Sequence, residues 1–121
     1  MRRDFVADGS MVRMTLSALG AAMSNLAATY SALGRHQDAL VMGQKTLEFQ
    51  RRVLPENHPD IGISCFNLGN SCHKVGDLHR ALQFALEALR IFQATLPPSH
   101  PHVKHAQQLV LRYEGDTARR S

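Results

Sequence analysis

Three histidines close together in the chain are the first residues whose chemistry could indicate a function. His100, His102 and His105 fall within six residues, and imidazole is a common ligand of transition metals. A metal site needs converging ligands, however, and Pro101 with the helix it opens would splay these side chains apart. His58 stands one repeat before His100, which indicates a structural role in a connector. We therefore expect no metal site and no other cofactor.

The two cysteines are the candidate nucleophiles. Cys72 directly precedes His73, but adjacent residues of a helix point about 100° apart and do not meet. Cys65 lies two helical turns, or roughly 10 Å, from Cys72, so the two thiols cannot pair with each other. The sequence also lacks a glycine-rich phosphate loop, paired carboxylates and a catalytic triad. We therefore expect a protein without catalytic activity.

A 42-residue repeat must position all of these residues. When residues 25–59 are aligned with residues 67–101, ten of 35 positions are identical. They are Asn25/Asn67, Leu26/Leu68, Gly34/Gly76, Ala39/Ala81, Leu40/Leu82, Leu47/Leu89, Leu54/Leu96, Pro55/Pro97, His58/His100 and Pro59/Pro101. A fixed period of this length, kept at apolar and turn positions, is typical of solenoids, whose units bury their apolar faces against their neighbours.

Each copy of the repeat begins with an amphipathic helix. Apolar residues recur there with helical spacing, and the two predicted core stripes are Met23, Leu26, Tyr30 and Leu33, then Cys65, Leu68, Cys72 and Val75. Gly34 and Gly76 follow these stripes. Since glycine readily adopts the left-handed conformation that closes many helices, we expect both first helices to end there.

A second helix follows each glycine, over about residues 37–53 and 79–95. Pro59 and Pro101 suit the first position of the next helix, where the missing N–H has no partner to lose. The chain therefore predicts a fifth helix that begins near His102 and has no second helix after it.

These residues resemble the tetratricopeptide repeat family, in the 42-residue variety of kinesin light chains. The first helix of that family carries leucine and a small residue, then an aromatic residue, then leucine and glycine, matched here by Leu26, Ala27, Tyr30, Leu33 and Gly34. The inter-repeat Leu-Gly-x-x-His-Pro-Asp is matched by residues 54–60 and 96–102. Departures are Cys72 for the aromatic residue and proline for glycine at Pro55 and Pro97.

The resemblance implies an all-α fold, a right-handed superhelix of antiparallel helix pairs with about two and a half repeats and five helices. Residues 1–17 would form a tail and helix lead-in, and residues 18–59 and 60–101 the two repeats. An unpaired C-terminal helix would occupy residues 102–114, and a polar tail residues 115–121.

The resemblance also implies a concave groove, lined by the first helices, that binds a peptide or a helix of a partner protein. Asn25 and Asn67 stack one period apart, and their amides could bond both N–H and C=O of an extended peptide. They could equally cap the backbone or face water. The predicted groove residues are Ser24, Asn25, Ala28, Ile63, Phe66, Asn67, Asn70, His73, Lys74, His105, Gln108 and Arg112.

A second hypothesis places the contact at the open ends of the array. About three repeats are the usual minimum for a stable solenoid, and an unpaired last helix would expose an apolar face of the kind that marks an interface. The residues of that face are Val103, Ala106, Leu109, Val110 and Tyr113. The chain would then be a structural subunit or a homodimer in a cytoskeletal or motor-associated complex.

Charge and composition bear on two remaining classes of function, nucleic-acid binding and membrane association, and on cellular location. The net charge is +4, but lysine and arginine are scattered and aromatic residues make up 6% of the chain, so an RNA-binding helical repeat is a distant alternative. There is no apolar run of 18 residues and no signal peptide. We therefore expect no membrane partner and a reducing, cytoplasmic location, with cytoskeletal or ciliary association.

Overall fold

The computed structural model describes residues 10–120, and within that range it contains five α-helices and no strand. The helices are α1 (Ser10–Ala32), α2 (His36–Val53), α3 (Pro59–Lys74), α4 (Leu78–Thr95) and α5 (Pro101–Arg120). Consecutive helices pack against each other, and α1 also contacts α3. The predicted all-α array of helix pairs is confirmed. The first nine residues of the predicted tail lie outside the described residues.

The predicted turns lie where glycine and the His-Pro pairs stand. Gly34 and Gly76 have φ angles of 80° and 88°, in the left-handed region that ends a helix at little steric cost. Before α3, His58 Nδ1 accepts a hydrogen bond from the Asp60 N–H at 3.0 Å. His100 does the same for the next helix through the His102 N–H. Each histidine therefore caps a helix N-terminus whose first residue is proline.

Two opposite faces of α3 bury it between neighbouring helices. Towards α2, a Cβ added at Gly43 would lie 2.8 Å from Leu68, so the leucine packs directly on the glycine backbone. Towards α4, a Cβ added at Gly62 would lie 2.6 Å from the Phe92 ring. Gly62 therefore admits an aromatic ring that any larger residue would displace.

The first helix departs from the prediction. It begins at Ser10, within the predicted tail and helix lead-in, but its predicted core stripe is wrong at Leu26 and Leu33, which are 43% and 68% exposed. Leu68, one period after Leu26, is 1% exposed. The difference arises because α2 covers Leu68, whereas no helix in the described range precedes α1 and covers Leu26.

The last helix is longer than predicted. It continues to Arg120 instead of ending at residue 114 before a polar tail. The Asp116 carboxylate bonds His73 on α3 and also pairs with Arg119 one turn later. Cations in the last turn favour a helix because they face its negative end. These contacts extend the helix through a segment whose composition alone predicted none.

The predicted docking face of the last helix is wrong, because it lies inside the fold. Four of its residues stand one period after the α3 residues that face α2, so this side of α5 packs on α4. The last helix therefore buries its apolar stripe, and Leu111, at 69% exposed, stands among polar residues on its other side. The buried residues are Val103, Ala106, Leu109, Val110 and Tyr113.

Candidate peptide-binding groove

A hollow of about 220 Å³ lies on the first-helix side of the array, between α3 and α5. Four predicted groove residues come together in its wall: Ile63, Phe66, Asn67 and His105. Ile63 and Phe66 pack against the buried core, which holds them in place. The hollow is thus a preformed, mostly apolar depression with one amide and two imidazoles among its lining groups.

Two further residues of this hollow, Phe92 and His102, were not predicted. Phe92 belongs to α4, a second helix, and reaches the wall because Gly62 leaves room for its ring. A glycine inside a helix destabilises it by about 1 kcal/mol relative to alanine, so Gly62 was the signal for a large neighbour. His102 follows Pro101 in the first turn of α5, and its ring lies 5.1 Å from that of Phe92.

A smaller hollow of about 110 Å³ lies between α1 and α3. Its wall includes Ala28, Ser31, Gly43 and Asn70, so it is lined largely by small side chains. Asn67 lines this hollow as well as the larger one. The two depressions therefore lie on either side of a single amide.

Two predicted groove residues instead join α3 to α5. The Tyr113 hydroxyl donates to Asn70 Oδ1 at 2.8 Å, and His73 Nε2 lies 2.8 Å from Asp116 Oδ2. The His73 and Tyr113 rings are also stacked, with centroids 4.6 Å apart. The hydrogen bond from His73 is the main cause that lowers the pKa of Asp116. Asn70 and His73 thus have structural partners within the chain.

The other six predicted groove residues divide into three groups. Ser24 bonds the Ser64 hydroxyl at 3.0 Å, and Ser64 in turn donates to Gln50, so Ser24 belongs to a polar link between α1, α3 and α2. Ala28 lines the smaller hollow. The exposed residues that line neither hollow are Asn25, Lys74, Gln108 and Arg112.

The sequence profile described as tetratricopeptide repeat matches residues 18–94. The chain belongs to the tetratricopeptide repeat family. Members of this family are generally non-catalytic scaffolds that mediate protein–protein interactions. No curated protein matches the chain.

Solved structures agree with this assignment. A protein of Podosopora anserina described as a kinesin light chain with nearly identical TPR-like repeats superposes with a TM-score of 0.72 at 21% identity. A substituted form of that protein gives the same values. The match covers 81% of this chain and 46% of each of those chains, so the chain spans less than half of their length. The likeness establishes the tetratricopeptide solenoid fold.

Within residues 10–120, no cluster of three or more histidine, cysteine or acidic side chains could hold a metal ion. The imidazole of His100 caps α5, and its ring lies 4.7 Å from that of His102. These two side chains are therefore not splayed apart as predicted. The same range contains no helix long and apolar enough to cross a membrane.

His102, in the wall of the larger hollow, favours its neutral form. Burial lowers the pKa of His102 below its ordinary value of 6.5, and the nearby His100 and His105 lower it further. A neutral imidazole keeps the wall of the hollow compatible with an apolar ligand, because an unpaired charge there would be poorly solvated.

Lowering the pH should therefore destabilise the fold through His102. Below pH 6.5 the unfolded chain protonates His102, while the folded chain stays neutral until a lower pH, so the unfolded state is favoured as the pH falls. His102→Gln should flatten this part of the profile in thermal unfolding measured between about pH 5 and pH 7.5. His79→Gln, at an exposed histidine, is the control. If thermal stability falls with pH at the same rate in the wild type and in His102→Gln, His102 is not the cause of the pH dependence.

Proposed function

We propose that this repeat protein binds an extended peptide segment of a partner protein across α3. The proposal rests on the position of Asn67 between two hollows of different size. An asparagine amide offers both a donor and an acceptor, so it can bond the N–H and C=O of one peptide unit. Bonding of this kind fixes the peptide backbone and leaves the side chains to select the sequence.

The hollows define the side chains that the peptide would present. The larger one, walled by Phe66, Phe92 and Ile63, suits one large apolar or aromatic side chain. The smaller one, walled by Ala28, Ser31 and Gly43, suits a small side chain. Packed helices are about 8–10 Å apart, and an extended chain rises about 3.3 Å per residue. Because alternate side chains of an extended chain point to the same side, the nearest fit is a separation of two residues, or about 6.6 Å.

Asn67→Ala should weaken peptide binding by about tenfold, because the loss of one or two hydrogen bonds costs about 1–1.5 kcal/mol. The probe is a peptide selected by phage display on the full chain and labelled for fluorescence polarisation. Helicity should be unchanged, since Asn67 is half-buried on the wall.

Asn25→Ala is the matched control, because it removes the same side chain one period earlier, at an exposed position outside both hollows. We expect its affinity to stay within about twofold of the wild type. Equal losses of affinity in the two variants would argue against the proposed site. So would selected peptides that bind the Asn67→Ala protein as tightly as the wild type. A steep loss of affinity with salt, together with RNA binding, would favour the nucleic-acid alternative.

We also propose a cytoplasmic setting on cytoskeletal or ciliary structures. The support is the fold shared with a protein described as a kinesin light chain. Imaging of the tagged chain in cells would test this proposal. A diffuse distribution without co-localisation with microtubules would contradict the cytoskeletal association.

A further inference from the structure

The internal repeat places two chemically different side chains at one structural position. Gln50 on α2 and Phe92 on α4 stand one period apart, and both are almost completely buried. Each packs on a glycine of the first helix of its own pair, since a Cβ added at Gly20 would lie 3.2 Å from Gln50 and one at Gly62 would meet the Phe92 ring. The same position therefore accepts an amide or an aromatic ring, and the scaffold does not determine which.

In the first repeat this position belongs to a chain of hydrogen bonds. The buried Ser64 hydroxyl donates to Gln50 Oε1, so its oxygen is left to accept from the Ser24 hydroxyl, 3.0 Å away. The three side chains join α1 to α3 and α3 to α2, and we name them the polar triad. Their polar atoms satisfy one another, as buried polar groups require.

One period later all three positions are apolar. The residues that correspond to Ser24, Gln50 and Ser64 are Phe66 on α3, Phe92 on α4 and Ala106 on α5, which we name the apolar triad. Phe66 and Phe92 line the larger hollow, and Ala106 is completely buried on α5. The repeat thus exchanges a hydrogen-bonded link for apolar surface, and the larger hollow lies at that surface.

The exchange decides what the space between two first helices can bind. Serine at the positions of Phe66 and Ala106, with glutamine at that of Phe92, would let α3 and α5 bond each other as α1 and α3 do. An apolar side chain entering such a site would have to break those bonds and leave buried polar groups unpaired, which is unfavourable. Without these polar groups, the larger hollow can receive an apolar side chain at no such cost.

We propose that the apolar triad determines which peptide side chain this repeat protein selects, and that the selected side chain is large, apolar and placed on the α5 side of Asn67. The inference rests on the proposed peptide binding and adds the direction of the peptide across α3. The large apolar residue, which we name the anchor, lies towards α5, and the small residue lies towards α1.

Phe66→Ser tests the contact with the anchor, because it introduces the residue that the first repeat has at this position. Peptide affinity, measured by fluorescence polarisation with the selected peptide, should fall about tenfold or more as aromatic contact area is lost. Phe84→Ser is the matched control, since Phe84 is a half-buried phenylalanine of α4 that lines neither hollow. Its affinity should stay within about twofold of the wild type.

A second variant tests selection rather than affinity. Phe92→Gln combined with Ala106→Ser transfers two members of the polar triad to the second repeat. Phage selection is then performed on the wild type and on this double variant, after circular dichroism has shown that it is folded. Wild-type peptides should share a large apolar residue at one position, and peptides selected on the variant should lose that preference. If the double variant does not fold, Phe66→Ser takes its place in the selection.

The outcomes separate the triad from the binding site as a whole. The same anchor residue in peptides selected on the folded variant would overturn the role of the triad, as would equal affinity losses in Phe66→Ser and Phe84→Ser. A wild-type chain that yields no peptide dependent on Asn67 would instead contradict the proposed function, and the triad would then have no peptide to select.

Discussion

Leu68→Ala is expected to lower the free energy of unfolding by about 2–5 kcal/mol, the usual cost of removing a leucine from a packed core. Leu68 is almost completely buried between α2 and α3, and its methyl groups fill the space left by Gly43. That space cannot collapse easily, because a helix backbone lies on its other side. Urea unfolding followed by circular dichroism measures the change.

Leu26→Ala is the matched control for this prediction. It is the same substitution at the same repeat position, and it should cost less than about 1 kcal/mol in the monomer because Leu26 is already partly solvated. Both variants must be measured at the same low micromolar concentration, so that self-association does not contribute to the measured stability. Similar losses would mean that Leu26 is packed as tightly as Leu68 in the folded chain, which would contradict the difference in their burial.

The comparison of Leu26 with Leu68 shows what a repeat pattern determines. Periodicity identifies the positions that face a neighbouring helix, since these depend on the 3.6-residue turn and the length of the unit. It does not state whether that neighbour is present. Helix order, the glycine turns and the His-Pro starts were therefore predictable, while the exposure of α1 followed from the absence of a preceding pair in the described range.

The last helix shows a second limit of the repeat pattern, which does not indicate which of two contact faces is covered. Val103 and Tyr113 belong to an apolar stripe, which predicted an exposed docking face once no second helix followed. A first helix in this fold has two contact faces, however, and the stripe is the one directed at the preceding pair. The face that a following helix would cover carries Lys104, Gln107 and Glu114 around the exposed Leu111, and its mainly polar character was visible in the sequence.

The sequence predicts which helix face forms the groove, but it does not predict which side chains on that face have partners within the chain. Ile63, Phe66 and Asn67 were identified by the helix face on which they stand. Asn70 and His73 stand on that face too, but Tyr113 and Asp116 occupy them. These pairs join residues 43 positions apart, one more than the repeat length, so the partners stand at near-equivalent positions of neighbouring first helices. The repeat indicates that they are close, but it does not indicate that these side chains bond. Side-chain pairing of this kind depends on the packed helices.

Tyr113→Ala should be the other strongly destabilising change, with an expected loss of about 3–5 kcal/mol by analogy with other buried aromatic residues. Tyr113 is buried, stacks on His73 and bonds Asn70. It is therefore the principal side chain that attaches the second half of α5 to α3. Urea unfolding should show a lower midpoint, and limited proteolysis should cut first within α5.

Tyr113→Phe separates the two contributions of this residue. It keeps the ring and its stacking but removes the hydroxyl donor to Asn70, so the expected loss is about 1 kcal/mol. Burial raises the pKa of Tyr113 to about 12, so the hydroxyl remains a donor throughout the neutral range.

The two substitutions together test whether α5 is a fixed part of the groove wall. If Tyr113→Ala releases α5, the hollow that contains His102 and His105 opens, and peptide affinity should fall along with stability even though Tyr113 lines neither hollow. Tyr113→Phe should retain the affinity, because the ring still holds the helix. A Tyr113→Ala protein that binds peptide normally would place the binding energy between α1 and α3 instead, and would leave the apolar hollow without a role in recognition.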